Sequence, residues 1–290
     1  MIDTLKHIYI VVCNGISDLG KGWLAASIGS IDAEHTLPIK IDPLLNQRFP
    51  QHIGIPIQEL CDSDDIARFL AAHPEYSAEY HISDDFETYH AAGMKVHPEC
   101  NIVAGDLLSQ FINLPDVFIR PGEFKKKTFT DLSYFLAEQL IAMGECYQPT
   151  TMIIEVGGIL EDYESIYIPG AMRFLRTLTG VTPELILLTY FEQADGNLTD
   201  GKYRLKTQHI RRGIKHVQSL YYDLPLKACI VRRRNVATAL ADTILEKELE
   251  NVRYETQLAA GKLIYIPNVN EPTLADNLQR IRRILEGSFR

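Results

Sequence analysis

The sequence has no apolar run long enough to cross a membrane, no CxxC or Cys/His ligand spacing, no internal repeat, no low-complexity tract and no Gly/Ser linker. These absences argue against a membrane span, a zinc module, a repeat array and a tethered pair of domains. The opening MIDTLKHIYIVV lacks the basic start and long apolar stretch of a secretory signal. Basic residues are in deficit as well. Lys and Arg total 29 against 38 Asp and Glu, and the net charge of −9 argues against a broad nucleic-acid surface. It leaves room for a local positive pocket that holds a nucleotide. The cysteines (Cys13, Cys61, Cys100, Cys146, Cys229) are an odd, dispersed set of 5 in 290 residues. Such a set reads as reduced thiols in a cytoplasmic protein. A composition of 46% hydrophobic and 23% charged residues is that of an ordinary soluble globule.

What is present is an alternation of apolar β-rich segments with helical patterns. His7–Val12, Leu37–Ile41, Met152–Val156, Leu185–Thr189, Lys227–Arg232 and Leu263–Pro267 read as strands. Val117–Arg120 reads as a further short one before a loop at Pro121–Lys127. Asp64–Ala72, Ile102–Leu114, Asp131–Met143, Asn235–Gln257 and Pro272–Leu285 carry helical spacing. The pattern predicts an α/β fold, a mostly parallel sheet flanked by helices, in one domain over residues 1–290. The run Lys125-Lys126-Lys127 reads either as a solvated loop or as a segment that faces a phosphate or a partner.

The segment IYIVVCNGISDLGKG, Ile8–Gly22, carries the strongest functional signal. A strand, a glycine-bearing loop and a helix start in that order make a phosphate cradle. Backbone N–H groups point at the anion and the Lys21 ammonium reaches its outer oxygens. Gly15 to Lys21 has the G-x-x-x-x-G-K spacing, but Gly22 follows where the common P-loop has a Ser or Thr for magnesium. A metal then needs side chains from elsewhere. Glu155 lies inside an apolar strand, where a carboxylate is costly unless paired or metal-bound. Asp85 lies in ISDDFETYH. If the two converge on the Lys21 loop, they supply the oxygen ligands that Gly22 cannot, and Mg²⁺ takes one or two carboxylates beside waters and phosphates. A second polar group runs from Lys202 to His209, followed by Arg211 and Arg212. It reads either as an exposed basic loop or as a grip on a second anion. Arg232-Arg233-Arg234 ends a strand and can reach the same face.

In this order the segments resemble the synthetase (amidoligase) domain of CTP synthase. The resemblance is carried by Ser17-Asp18-Leu19-Gly20-Lys21-Gly22, Ile39-Lys40-Ile41-Asp42-Pro43, Asn101-Ile102-Val103-Ala104-Gly105, Ile154-Glu155-Val156-Gly157-Gly158 with Asp162-Tyr163-Glu164, and Lys206-Thr207-Gln208-His209. It implies the three-layer P-loop architecture of the dethiobiotin-synthetase type. It also implies an ATP- and Mg²⁺-dependent ligase that forms a carbon–nitrogen bond, as in pyrimidine nucleotide synthesis. Ser17, Asp18, Leu19, Gly20, Lys21, Gly22 and Trp23 would bind ATP, with Asp85 beside them and Pro267, Asn268 and Val269 near the adenine. Asp85 and Glu155 would hold the metal. Ser17, Asp162, Tyr163, Glu164, Arg204, Lys206, Thr207 and Gln208 would bind the second substrate, UTP or a related carbonyl compound. Lys21 would be catalytic, assisted by Lys40.

The family's glutaminase elbow, G-x-C-x-G, is absent from this sequence. The resemblance therefore implies ammonia supplied free or by a partner such as a separate glutaminase. It also implies a homo-oligomer, a tetramer or dimer, that engages neither nucleic acid nor membrane. Thr88, Asp106 and the segment around Lys206 depart from the family pattern. These departures keep open a non-catalytic nucleotide-binding regulator of the same fold. Another P-loop ATPase, such as a dethiobiotin-synthetase-like carboxylase or a partitioning ATPase, is a third possibility.

Overall fold

β1 (His7–Cys13) and β6 (Thr151–Val156) are almost unbroken runs of apolar residues, and nearly every side chain in them is buried. Strands buried on both faces must lie in a sheet covered on both sides. The computed structural model of the protein describes residues 2–14, 19–42, 54–74, 76–77, 79–103, 121–160, 167–193, 205–234, 242–259, 262–267 and 273–289. Its main sheet adds β2 (Thr36–Asp42), β5 (Asn101–Val103), β7 (Glu184–Gln193), β9 (Leu226–Arg234) and β10 (Leu263–Ile266). The order is β10-β9-β7-β1-β6-β2-β5 and every pairing along it is parallel. β8 (Leu205–Lys206) is added antiparallel to the end of β7. A two-stranded sheet, β3 (Ile55–Pro56) with β4 (His81–Ile82), stands apart. The fold is α/β, a parallel sheet flanked by helices.

Chain order places the switch point beside β1: the chain goes to β2, β5 and β6 on one side, then to β7, β9 and β10 on the other. In such sheets ligands collect in the crevice outside the carboxyl ends of the strands at that switch. All seven parallel strands end on one edge, so Asn14, Lys40, Asp42, Gly157, Arg232 and Pro267 are delivered to it from sequence-remote segments. Pro38 sits inside β2 without disrupting the sheet, because β5 pairs with β2 only at Lys40–Asp42.

Helix α1 (Lys21–Gly29) buries eight of its nine residues, with Leu24, Ala25, Ala26 and Ile28 among the core side chains. Small alanines let it lie close to the sheet. It packs against α4 (Asp85–Ala91) and the last helix, α9 (Leu274–Phe289). A second pair, α5 (Pro121–Tyr147) and α6 (Ile168–Thr179), packs together elsewhere. α2 (Ile57–Leu60) and α3 (Ser63–Ala72) flank the small sheet. α7 (Gln208–Leu220) and α8 (Asp242–Thr256) accompany β7, β9 and β10.

Several sequence expectations are corrected. Pro121–Lys127 is helical and opens α5 instead of forming a loop. Proline at the first helical position costs no hydrogen bond and presets φ, and the following lysines are good helix formers. Asn101–Val103, which overlaps the start of the expected helix Ile102–Leu114, is a strand held by β2. The remainder of that segment and Val117–Arg120 lie outside the described residues. The basic stretch after Lys202 is, where described, strand β8 and then helix α7. Buried Ile210, Ile214 and Val217 recur at helical spacing among its charges. α6 was not expected. Pro169, which looks like a breaker, sits in its first turn.

Candidate functional site

The site begins at Gly20. It is the residue before α1 and has φ of 83°, a left-handed conformation that glycine adopts without steric cost. A second constraint is steric. A Cβ at Gly20 would run into the guanidinium of Arg232, which arrives from β9 and donates from Nη1 to the Leu19 carbonyl at 2.6 Å. Burial lowers the pKa of Arg232, and among the described residues no carboxylate pairs with it. A cation from two strands away thus braces the glycine loop at the first turn of the helix.

Lys21 follows at the first helical position and is only 5% exposed. Its ammonium donates to the carbonyl of Gly158, 2.7 Å away, and lies 3.2 Å from the Cys13 sulfur. The Lys21 side chain therefore lies across the ends of β1 and β6. Gly157 and Gly158 terminate β6 in a tight path: the Gly157 N–H donates to Ile41 at 2.6 Å, and Gly158 has a φ of 68°.

The neighbouring strand end carries the acidic cluster. Lys40 and Glu155 are register partners across β2 and β6. Side chains directly opposite on adjacent strands share a face. The Lys40 ammonium donates to Glu155 Oε1 at 3.2 Å and to Asp85 Oδ2, with Asp42 Oδ1 at 3.7 Å. Glu155 is 2% exposed, and its second oxygen accepts the hydroxyl of fully buried Tyr89. Asp85 opens α4, and Ser83 lies beside it. Burial works against the charge of Lys40, but Glu155, Asp42 and Asp85 outweigh it and hold its pKa well above the ordinary lysine range. Burial pushes the pKa of Glu155 up, opposed by Lys40 and Lys21 and reinforced by Asp85. Burial likewise raises that of Asp42, with Lys40 opposing and Asp85 reinforcing. Lys21 is thus within electrostatic reach of both carboxylates.

Gly22 now has a structural reason. A Cβ at that position would collide with Asp85 Oδ1. The carboxylate stands where a P-loop Ser or Thr side chain would project. Asp85 and Glu155 both contact Lys40, and Asp85 abuts the helix that Lys21 opens. Their shared contact is Lys40, however, and not Lys21. Among the described residues no three Asp, Glu, His or Cys side chains form a ready metal cage. The donor chemistry nevertheless fits a hard divalent cation: Asp85 and Glu155 present carboxylate oxygens to one point, which the Lys40 ammonium fills.

Lys206 is placed by β8. β9 pairs along β7 as far as Glu192, so β8, which also pairs at Glu192, occupies the edge of β7 that faces β1. Lys206 and His209 each lie 3.6 Å from Glu192. The His209 ring stacks on Tyr190, with centroids 4.8 Å apart. Thr207 accepts from Arg211, and Gln208 opens α7. The His209 carbonyl accepts from Asn14 Nδ2 at 2.8 Å, which ties this group to the end of β1. Trp23 lies in the first turn of α1, partly buried against the core. Pro267 follows β10 at the same sheet edge. Ser17, Asp18, Asp162, Tyr163, Glu164, Arg204, Asn268 and Val269 lie outside the described residues.

Sequence reasoning missed three participants. Asn14 is fully buried, and its Oδ1 has no partner among the described residues. The Gly158 carbonyl and the Cys13 sulfur receive Lys21. A lone polar residue directly after an apolar strand was the available signal for Asn14. Nothing in a sequence announces a backbone carbonyl as an acceptor.

No family model matches this sequence, and no curated protein does. Among solved structures, a plasmid partition protein of Borrelia burgdorferi aligns at 11% identity and a TM-score of 0.46, covering 97% of this chain and 99% of that one. A second plasmid partition protein of that organism, bound to AMPPNP, aligns at 10% identity and 0.46, covering 98% and 99%.

Proposed function

We propose that this protein binds a nucleoside triphosphate at the Gly20–Lys21 helix start and uses it, with Mg²⁺, in an amidoligase reaction of CTP-synthase type. One observation carries the reading. Buried Lys40 meets three carboxylates from three segments at the switch-point edge, with buried Lys21 within electrostatic reach at the start of a helix that begins on a left-handed glycine. A cluster of this kind is expensive to bury and adds little to stability compared with an apolar core. It is the arrangement that phosphoryl transfer needs, where the protein's task is to position and to spread charge.

The geometry supports the following roles. The N–H groups of the first turn of α1 face the anion, and Lys21 leaves the Gly158 carbonyl to meet its outer oxygens. Lys40, one strand over, is the second cation for the transferred group. Asp85 and Glu155 would hold the Mg²⁺, which supplies charge neutralisation on the phosphate oxygens when bound. Tyr89 fixes the Glu155 carboxylate through its hydroxyl. Lys206, Thr207 and Gln208, on the β1-facing edge of β7, are where a second substrate would be gripped. The resemblance to the CTP-synthase family adds the chemistry: activation of a carbonyl oxygen such as O4 of UTP, then replacement by ammonia.

Incubation with ATP, Mg²⁺, ammonium and a panel of nucleotides and carboxylates, followed by mass spectrometry, tests this. ADP formed one-for-one with an aminated product is the expected result. Tight ATP binding without turnover on any substrate would favour the regulatory alternative. Lys21→Ala should abolish ADP formation while the protein stays folded. A fully active Lys21→Ala variant would overturn the assignment.

A further inference from the structure

We propose that Lys40 is a resident counter-ion that keeps free divalent metal out of the acidic cluster, so that metal enters only together with a polyphosphate. The second half of that statement rests on the triphosphate reading above. The first half, exclusion of metal from the empty site, does not.

Three observations carry it. The ammonium of Lys40 contacts Asp85, Glu155 and Asp42 at once, so a single cation already occupies the point on which the carboxylates converge. Lys40 is 6% exposed and stands opposite Glu155 in the strand register, so its ammonium is held among the carboxylates. Glu155 is further held by Tyr89, so its carboxylate cannot turn toward a second cation without losing that bond. Mg²⁺ requires oxygens at about 2.0–2.1 Å in near-octahedral geometry and gives up its waters reluctantly. A metal placed against Asp85 and Glu155 would sit beside the ammonium, and in a poorly solvated pocket two such cations repel strongly. A polyphosphate removes the conflict. Its oxygens offer Lys40 a new acceptor, and the carboxylates released in the exchange can then take the metal. The lysine would change partners without changing its charge.

Binding of Mn²⁺ to the whole protein, followed by electron paramagnetic resonance, tests the exchange. Nucleotide-free wild type should take up no stoichiometric Mn²⁺, and addition of AMPPNP should bring in one. Lys40→Gln should bind one Mn²⁺ without nucleotide, at least about tenfold more tightly than wild type, because a like charge has been removed. That gain should vanish in Lys40→Gln/Glu155→Gln. Lys40→Arg keeps the positive charge and should still exclude the metal. One Mn²⁺ bound by nucleotide-free wild type as tightly as by Lys40→Gln would overturn the proposal, as would Lys40→Arg behaving like Lys40→Gln. Should Lys40→Gln fail to fold, one Mn²⁺ bound stoichiometrically by nucleotide-free wild type or by nucleotide-free Lys40→Arg would still overturn the proposal. Wild type that never binds AMPPNP defeats the triphosphate reading, yet leaves the nucleotide-free comparison of wild type with Lys40→Gln intact.

Discussion

At the scale of single residues, Gly22 and Asp85 fit one another: the carboxylate stands where a side chain at position 22 would project. The glycine is required because the carboxylate fills the space its Cβ would need. Gly22→Ser would restore the common P-loop residue, yet it should harm this protein. Asp85 would have to move off Lys40, and overpacking a tight contact commonly costs about 1–3 kcal/mol. We expect a lower melting temperature and no gain in calorimetric AMPPNP affinity. A stable Gly22→Ser protein that binds better would show that Asp85 is free to leave. Burial penalises the charged form of the neighbouring Glu155, but a neutral amide would strip buried Lys40 of its largest electrostatic partner, so Glu155→Gln should lower the melting temperature and, on the proposed function, abolish Mg²⁺-dependent turnover.

At the scale of elements, the loop is not held by its own strand alone. Arg232 spans from β9 to the Leu19 carbonyl, 213 positions away in sequence. A hydrogen bond from a charged donor contributes roughly 1.5–3 kcal/mol, so loss of this one should weaken nucleotide binding by about tenfold or more. Arg232→Ala should show that loss by calorimetry with only a small change in melting temperature, because the loop and not the core is released. Unchanged affinity would mean that the brace does not shape the anion site. Most of the scaffold around it was legible in the sequence. Six of the seven parallel strands declared themselves as short apolar runs, and the glycine loop marked the sheet edge at which the strands end. What stayed illegible was held by partners remote in sequence. Asn101–Val103 is a strand only because β2 lies beside it. The helices at Pro121 and Gln208 were hidden by lysines and arginines whose charge outweighed their helix propensity. Glu155 stood out as a buried carboxylate, but no spacing rule could reveal that its partner would be Lys40 across a parallel register.

At the scale of the whole molecule, two populations of carboxylates respond to pH with opposite signs. Scaffold carboxylates sit low. Burial opposes the charge of Asp65, but His97, Lys95 and Arg68 hold its pKa below the ordinary 3.8. Asp223 is held below the same value by Arg173 and Arg176 despite its burial. Site carboxylates sit high: burial raises Glu155 above 4.5 and Asp42 above 3.8. For the first group, the stabilisation is present above 3.8 and is lost as pH falls through the depressed values. For the second, it is complete below the ordinary value and is lost as pH rises through the elevated one. His97, whose pKa burial pushes below 6.5, adds to the acid side: its contribution is present above 6.5 and is lost as pH falls through the lowered value. Melting temperatures of wild type, Glu155→Gln and Asp223→Asn between pH 8 and pH 3 separate these effects. The deficit of Glu155→Gln relative to wild type should be largest near pH 4.5 and below and shrink as pH rises above it, where wild type bears the cost of the buried charge. The deficit of Asp223→Asn should hold at neutral pH and close below 3.8, where wild type loses the same ion pairs. Parallel curves for all three proteins would contradict the assignment, because a group with the same pKa folded and unfolded gives stability no pH dependence. Opposite slopes would mean that burial governs the charge of Glu155 and Asp42 while ion pairing governs that of Asp65 and Asp223.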